Sequence, residues 1–496
     1  MSAGAPPAPA PRAAAPDGTV GAGRTQAVLT ALVVSALGCG DARAAADHVP
    51  IDGISLSLVW AIPFAGVLLS IALMPLLLSR FWHHHFGKVA AFWAIAVVLP
   101  FAAQFGASVT FDELLHTLAF EYAPFMILLL SLFTVAGGIH IKGNLHGSPA
   151  LNTGILAAGT GLASVMGTTG ASLLLIRPLL RANDAREHKA HVVVFFIFLV
   201  ANIGGALTPL GDPPLFLGFL KGVDFFWTTK TMFWPTLFAA VVLLAIFYAI
   251  DSWYYRRPSE PRQPDPTPDS PLAIEGAWNF ALLAAILVCV LLSGLWKPGI
   301  AFRVLGQSVE LQNLARDVAL LVIAGLSWKF TPRAVREAHH FEWAPMLEVA
   351  KLFAAIFITI IPVIAMLRAG AQGAFAPLVA MVTDAGGNPN NATYFWLTGA
   401  LSSFLDNAPT YLVFFNVAGG DPVALMGPLA ATLTAISAGA VFMGANTYIG
   451  NAPNFMVKSI AESRGVAMPS FLGYMLWSGA ILLPLFVLLT FVFFKH

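Results

Sequence analysis

The sequence predicts an all-α polytopic membrane protein of two inverted repeats, with about ten transmembrane spans, two re-entrant hairpins and two interrupted helices. Three observations predict it. Only 10% of the 496 residues are charged and 58% are apolar, with a mean hydropathy of +0.78; a soluble domain carries about 25% charged residues. Several apolar stretches reach the roughly 20 residues that cross a bilayer core as a helix. Polar, Pro- and Gly-rich motifs interrupt other apolar stretches, and they recur at one fixed spacing in the two halves of the chain.

Taken in order, residues 1–25 are rich in Ala, Pro and Gly, which reads as a disordered tail. Arg24, the apolar run from Ala27 to Leu37 and the small residues Ala42 to Ala46 follow the order of a cleavable secretory signal. The other reading is a short first helix that is retained. Residues 1–46 thus form a tail and signal segment. Spans are expected near 54–79, 88–105, 122–140, 190–221 (interrupted), 233–251, 278–296, 314–328, 344–367, 423–461 (interrupted) and 470–494. Segments 150–180 and 393–418 are apolar but broken in the middle, as re-entrant hairpins are. The first repeat covers 54–251, a Pro-rich charged linker 252–277, and the second repeat 278–494.

Basic residues set the orientation. One set of alternate loops holds fifteen Lys and Arg, among them Arg80, Lys142, Arg177, Arg181, Arg256, Lys329 and Arg464; the other holds seven, including Lys221, Arg303 and Arg368. The richer side is expected to be cytoplasmic, in an inner or plasma membrane. A net charge of +1 gives no reason to expect nucleic acid as a partner. Cys39 and Cys289 are too far apart and too few for a disulfide framework or a metal cluster.

The repeat is read from polar motifs. Residues 160–174 align without gaps with 399–413, placing Ser164 against Ser403, an offset of 239. Gly205, Ala206, Thr208, Gly211 and Pro214 recur as Gly444, Ala445, Thr447, Gly450 and Pro453, again with an offset of 239. Phe120-Glu121-Tyr122-Ala123-Pro124 recurs as Phe341-Glu342-Trp343-Ala344-Pro345. The first of these spans enters from outside and the second from inside, so the repeats are inverted, as in many secondary transporters.

Non-helical backbone at membrane depth is tolerated where protein buries it or where it lines a cavity. Thr208 to Pro214, with three prolines, must break a helix, and Asn446 to Pro453 must break its mate. The hairpin tips, Gly167 to Gly170 and Asp406 to Thr410, do likewise. Freed carbonyls, the hydroxyls of Thr168, Thr169, Thr208, Thr410 and Thr447, and the amides of Asn407, Asn446 and Asn451 are hard ligands for a small cation; helix N-termini would suit an anion. Asp212 and Asp406 lie in these breaks, one in each half, opposite the neutral Asn451 and Gly167. A carboxylate at membrane depth marks an ion or proton pathway; the bland alternative is an Asp capping a half-helix. No Lys or Arg lies in either break. Where burial penalises the ionised carboxylate, Na⁺ and H⁺ compete for the same oxygens.

Glu348 and Lys351 share one helical face, either as a structural pair or in proton coupling. Glu121 and Glu342 are expected at helix starts, where the dipole favours acids. His83-His84-His85 reads as an interfacial basic cluster rather than a metal site, since no acidic or Cys ligand accompanies it. The Phe stripes and most Trp residues are expected in contact with lipid.

Gly205-Ala-Leu-Thr-Pro-Leu-Gly-Asp-Pro-Pro, Phe404-Leu-Asp-Asn-Ala-Pro-Thr, Gly444-Ala-Asn-Thr-Tyr-Ile-Gly-Asn-Ala-Pro and the stretch 348–362 resemble the ion transporter superfamily, in the branch of NhaD-type sodium:proton antiporters and citrate-transporter-like proteins, over roughly 55–494. The resemblance implies a scaffold domain, a transport domain of hairpins and broken helices, and often a homodimer. Dicarboxylate carriers of the superfamily carry Ser-Asn-Thr at their tips; this chain has Gly-Thr-Thr and Asp-Asn-Ala. The expected activity is therefore Na⁺(Li⁺)/H⁺ antiport, with Na⁺ as transported or coupling ion and no cofactor. The alternative is Na⁺- or H⁺-coupled carriage of citrate or a similar organic anion. An intramembrane aspartyl protease would resemble a Tyr-Asp plus Gly-x-Gly-Asp pairing, which neither aspartate matches.

Overall fold

A computed structural model describes residues 51–495 apart from 144, 258–270, 305–306, 339–340 and 385. The expected tail and signal segment, and the centre of the linker, lie outside the described residues. The chain is nearly all helix. Helices α1 (Ile62–Leu77), α2 (Ser79–Phe105), α3 (Ala107–Ala136), α4 (Pro149–Met166), α5 (Thr168–Ala182), α6 (Ala190–Leu199), α7 (Pro213–Leu220) and α8 (Phe225–Tyr255) make the first half. The second half runs through α9 (Trp278–Leu295), α10 (Leu311–Phe330), α11 (Arg333–Ala338), α12 (Ala344–Thr359), α13 (Ile361–Arg368), α14 (Ala376–Val382), α15 (Asn391–Phe404), α16 (Asn407–Val417), α17 (Pro422–Met426), α18 (Ala430–Met443), α19 (Ala452–Ser463) and α20 (Phe471–Leu489).

The few strands are short. β1 (His140–Lys142) pairs antiparallel with β2 (Ala273–Glu275), bringing His140 opposite Glu275. β3 (Ala301–Val304) and β4 (Gln307–Glu310) form a separate antiparallel pair.

Every expected span has a helical counterpart. Among the described residues, seven helices are long and apolar enough to cross a bilayer, and eight if α12 and α13, bent by 43° at Ile360, count as one span. The others expected are α10, whose polarity rises with Arg316, Asp317 and Lys329, and the interrupted pair α18 and α19. Two expectations need correction. The third span starts at Ala107 rather than near 122, and Glu121 sits inside it, in a π-helical turn over Thr117–Tyr122. There Glu121 pairs with Lys221 Nζ at 2.5 Å, so it is no helix-start acid. Glu342 does precede α12 and is exposed.

Burial separates interior helices from lipid-facing ones. The segment beginning with α6 is 89% buried, and its residues Val193–Val200 are apolar on every face, as a helix enclosed by others must be. By contrast only 22% of the apolar window of α2 is buried, and Phe92 and Leu99 stand exposed, as lipid contact requires. Trp234, Leu472 and Leu476 do the same for α8 and α20.

The helix pairs α4–α5 and α15–α16 are the two expected hairpins, turning at Gly167 and at Leu405-Asp406. Each hairpin's second helix packs on the other half's broken helix: α5 on α19, and α16 on α7. These two contacts are repeat mates, since α5 corresponds to α16 and α7 to α19 at the offset of 239. The two halves therefore interlock around their breaks.

Candidate functional site

Each break is held open by the same bonds. In the first, a 3₁₀ turn (Ile203–Leu207) ends at Thr208, whose hydroxyl donates to Ser164 O, while Leu210 N donates back to that hydroxyl at 3.2 Å. In the second, a 3₁₀ turn (Gly444–Asn446) ends at Thr447, whose hydroxyl donates to Ser403 O, and Ile449 N donates to it at 3.2 Å. Ser164 Oγ in turn donates to Gly204 O, and Ser403 Oγ to Met443 O. Every one of these partners is displaced by 239 residues, so the sequence repeat is a structural one. Gly205 and Gly211 lie so close that a Cβ on Gly211 would stand 2.1 Å from Gly205 O; only glycine fits there.

The hydroxyls of Thr208 and Thr447 are thus engaged in holding the breaks open. Many of the freed carbonyls are engaged as well. Asn454 Nδ2 donates to Gly444 O and Thr447 O, Tyr474 Oη to Ala445 O, Ser478 Oγ to Asn446 O, and Thr229 Oγ1 to Leu207 O. Buried backbone acceptors are seldom left unpaired, and here side chains from neighbouring helices occupy them.

Four elements converge on Asp212. Its carboxylate is 1% exposed and stands at the start of α7 without capping it. Oδ1 accepts from Thr168 Oγ1 at 3.1 Å and from Asn451 Nδ2 at 3.3 Å; Oδ2 accepts from Asn407 Nδ2 at 2.5 Å. Thr168 opens α5, Asn407 opens α16 and Asn451 precedes α19, so both hairpin tips and both broken helices meet at one carboxylate. Thr168 and Asn407 are repeat mates, as are Asp212 and Asn451. Thr168 N also donates to Gly211 O at 2.9 Å, fixing the first tip to the first break.

Every side chain that donates to Asp212 is neutral. Asn407 Oδ1, next to it, is buried and has no partner; neither has Asn446 Oδ1, whose amide donates to Ser403 Oγ at 2.9 Å. A carboxylate accepts about four hydrogen bonds, and Asp212 accepts three. The remaining valence, with the free Asn407 oxygen, is an oxygen set suited to a hard monovalent cation. Among the described residues no cluster of His, Cys, Asp and Glu could hold a metal ion by itself.

The remaining expected residues divide. Asp406 does cap: its Oδ1 accepts from Ala408 N at 3.0 Å, it is half-buried, and it lies near enough for its charge to act on Asp212, though no hydrogen bond joins the two. Thr410 Oγ1 donates to Asp406 O at 2.9 Å and belongs to the same turn. Thr169 lines a cavity of about 130 Å³ beside Asp212. That cavity runs between Leu132 and Phe133 of α3, the tip of α5, Pro209–Pro213, Met346 of α12 and Met456 of α19. Glu348 and Lys351 form no ion pair among the described residues; Lys351 Nζ lies over the Phe86 ring at 5.3 Å. His83, His84 and His85 lie within α2, and His84 and His85 bond back to Arg80 O and Phe81 O.

Sequence reasoning missed Asn202 and Asn454. Both are 0% exposed; Asn202 Nδ2 donates to Asn454 Oδ1 at 2.7 Å, and Asn202 Oδ1 accepts from Asn451 Nδ2 at 3.3 Å. They carry the Asp212 network onward into both halves. Their signal was an amide inside an otherwise apolar span, which is costly unless paired. Ser164 and Ser403 were also passed over, although their identity at matched positions was visible.

A family model described as "Putative citrate transport" matches residues 53–494. No curated protein matches the chain at a significant level.

Proposed function

The chain belongs to the family described as "Putative citrate transport", a family of membrane transporters within the ion transporter superfamily, and from that premise we propose that it exchanges Na⁺ or Li⁺ for H⁺ at Asp212. The observation that carries this reading is the convergence of both tips and both breaks on one buried carboxylate whose side-chain donors are all neutral. An ionised carboxylate in such a site is stabilised by a bound cation or neutralised by a proton, and the two exclude each other. In the orientation read from the basic residues, the cavity beside Asp212 runs toward the cytoplasmic ends of α3 and α12. Release to the other face then requires the interlocked hairpins and half-helices to move against the scaffold, which is alternating access.

A second reading has a specific observation behind it. The cavity is larger than a bare cation requires, and the N-termini of α5, α7 and α19 converge beside it. Together with the family's description, this favours a Na⁺-coupled carrier of citrate or a related anion, with the cation at Asp212 screening the substrate's charge. Everted vesicles decide between the two. Adding NaCl or LiCl across an imposed proton gradient should move protons, and citrate should not. Citrate uptake that depends on Na⁺, without Na⁺-driven proton movement in its absence, would replace the first reading by the second.

A further inference from the structure

Helices α5 and α19 leave the Asp212 site side by side. Thr168 at the head of α5 and Asn451 at the head of α19 both reach Asp212, and the two helices pack together. Their far ends carry Arg177 and Arg181 on α5 and Arg464 just past α19. At 1.5 Å per residue, Arg177 lies about 14 Å from Thr168 along its helix.

Arg181 Nη2 donates to Ile141 O at 2.5 Å, but the three arginines are otherwise poorly compensated. Arg177 Nη1 and Arg181 Nε are buried and have no hydrogen-bond partner. The charge of Arg464 acts unfavourably on both. Among the described residues, neither Arg177 nor Arg464 forms an ion pair with a carboxylate. Glu275 holds Lys142 at 2.5 Å and Glu462 holds Lys458 at 2.7 Å, while Asp184 favours the charge of Arg181. Burial, and then the Arg181 charge, hold the His140 imidazole on β1 below its usual range. Basic residues do suit helix C-termini and cytoplasmic loops. Neither preference accounts for guanidinium donors buried without an acceptor, whose desolvation goes unrepaid.

We propose that Arg177, Arg181 and Arg464 form a binding site for a phosphate group, at the ends of α5 and α19 remote from Asp212. Guanidinium forks match phosphate oxygens in pairs. The phosphate comes either from an anionic phospholipid headgroup or from a free anion in solution, and the site does not depend on what Asp212 transports.

The test is the thermal unfolding midpoint of the full chain in nanodiscs. One arm titrates inorganic phosphate at constant ionic strength in phosphatidylcholine; the other replaces part of that lipid by phosphatidylglycerol in phosphate-free buffer. The wild-type midpoint should rise in the first arm for a free anion, or only in the second for a headgroup. R177Q/R464Q should lose the rise. R464Q alone, at an exposed position that threatens no core packing, should need about tenfold more phosphate or anionic lipid for the same rise. A flat wild-type midpoint in both arms, or an undiminished rise in R464Q and the double variant, would overturn the site.

Discussion

In the first break Thr208 ties the chain to Ser164, and in the second Thr447 ties it to Ser403 by the same hydrogen bonds, yet four residues later the first presents Asp212 and the second Asn451. The tips differ in the opposite sense. Gly167 turns the first with a φ of 80°, a conformation that favours glycine, while Asp406 turns the second at −57° and caps α16. The repeat thus encodes the scaffolding twice and sets a carboxylate at only one of the two breaks. Backbone geometry can be shared between inverted halves, whereas two carboxylates facing each other at one site would each penalise the ionisation of the other.

The largest effect should come from moving that single charge. Asp212→Asn is expected to leave insertion and folding intact while lowering Na⁺-driven proton movement by about a hundredfold or more, as the loss of a sole charged ligand does. Near-normal exchange in that variant would remove Asp212 from the mechanism. The swap D212N/N451D places the carboxylate on the other side of the same 3.3 Å contact. It should recover a measurable part of the exchange lost in D212N; no recovery would mean that the two breaks are less alike in function than in bonding.

Smaller losses should mark the donors. Thr168→Val keeps the Thr168 N bond to Gly211 O but removes the hydroxyl from Asp212, and should weaken apparent Na⁺ affinity about tenfold. An unchanged affinity would make that hydroxyl a structural contact only. Asp406 should matter least. Asp406→Asn keeps an N-cap acceptor and is expected to retain exchange, whereas Asp406→Ala should lower stability by about 1 kcal/mol. Abolished exchange in D406N at normal expression would restore Asp406 to the site.

The fold and most of the site could be read from residue types because lipid removes alternatives. An apolar helix, a broken helix and a Pro-rich turn each leave a distinct mark when backbone polar groups have no water to bond. Asp212, Asn407, Thr168 and Asn451 were legible for that reason, and the offset of 239 placed them as mates. What the sequence left open was how each hydroxyl or amide divides its bonds. Thr208, Thr447 and Thr410 look like ligands by type, and only the positions of Ser164, Ser403 and Asp406 O show that they hold the backbone. Asp406 looked equal to Asp212 by type; in the structure one of its oxygens accepts from the Ala408 amide, and the other has no such bond among the described residues. Glu121 was misplaced because the helix begins fifteen residues before the apolar run does, across Asp112, Glu113 and His116.

Calorimetry of Na⁺ binding across pH tests most directly whether one buried carboxylate takes either Na⁺ or H⁺. If protonation of Asp212 excludes the cation, apparent Na⁺ affinity should weaken as pH falls. Well below the site's titration the loss should approach tenfold per pH unit, about 1.4 kcal/mol, for one proton displaced. D212N should show no such slope, and citrate should leave Na⁺ binding unchanged. A Na⁺ affinity that is flat with pH and tightens when citrate is added, as reciprocal linkage requires of a symporter, would contradict the account.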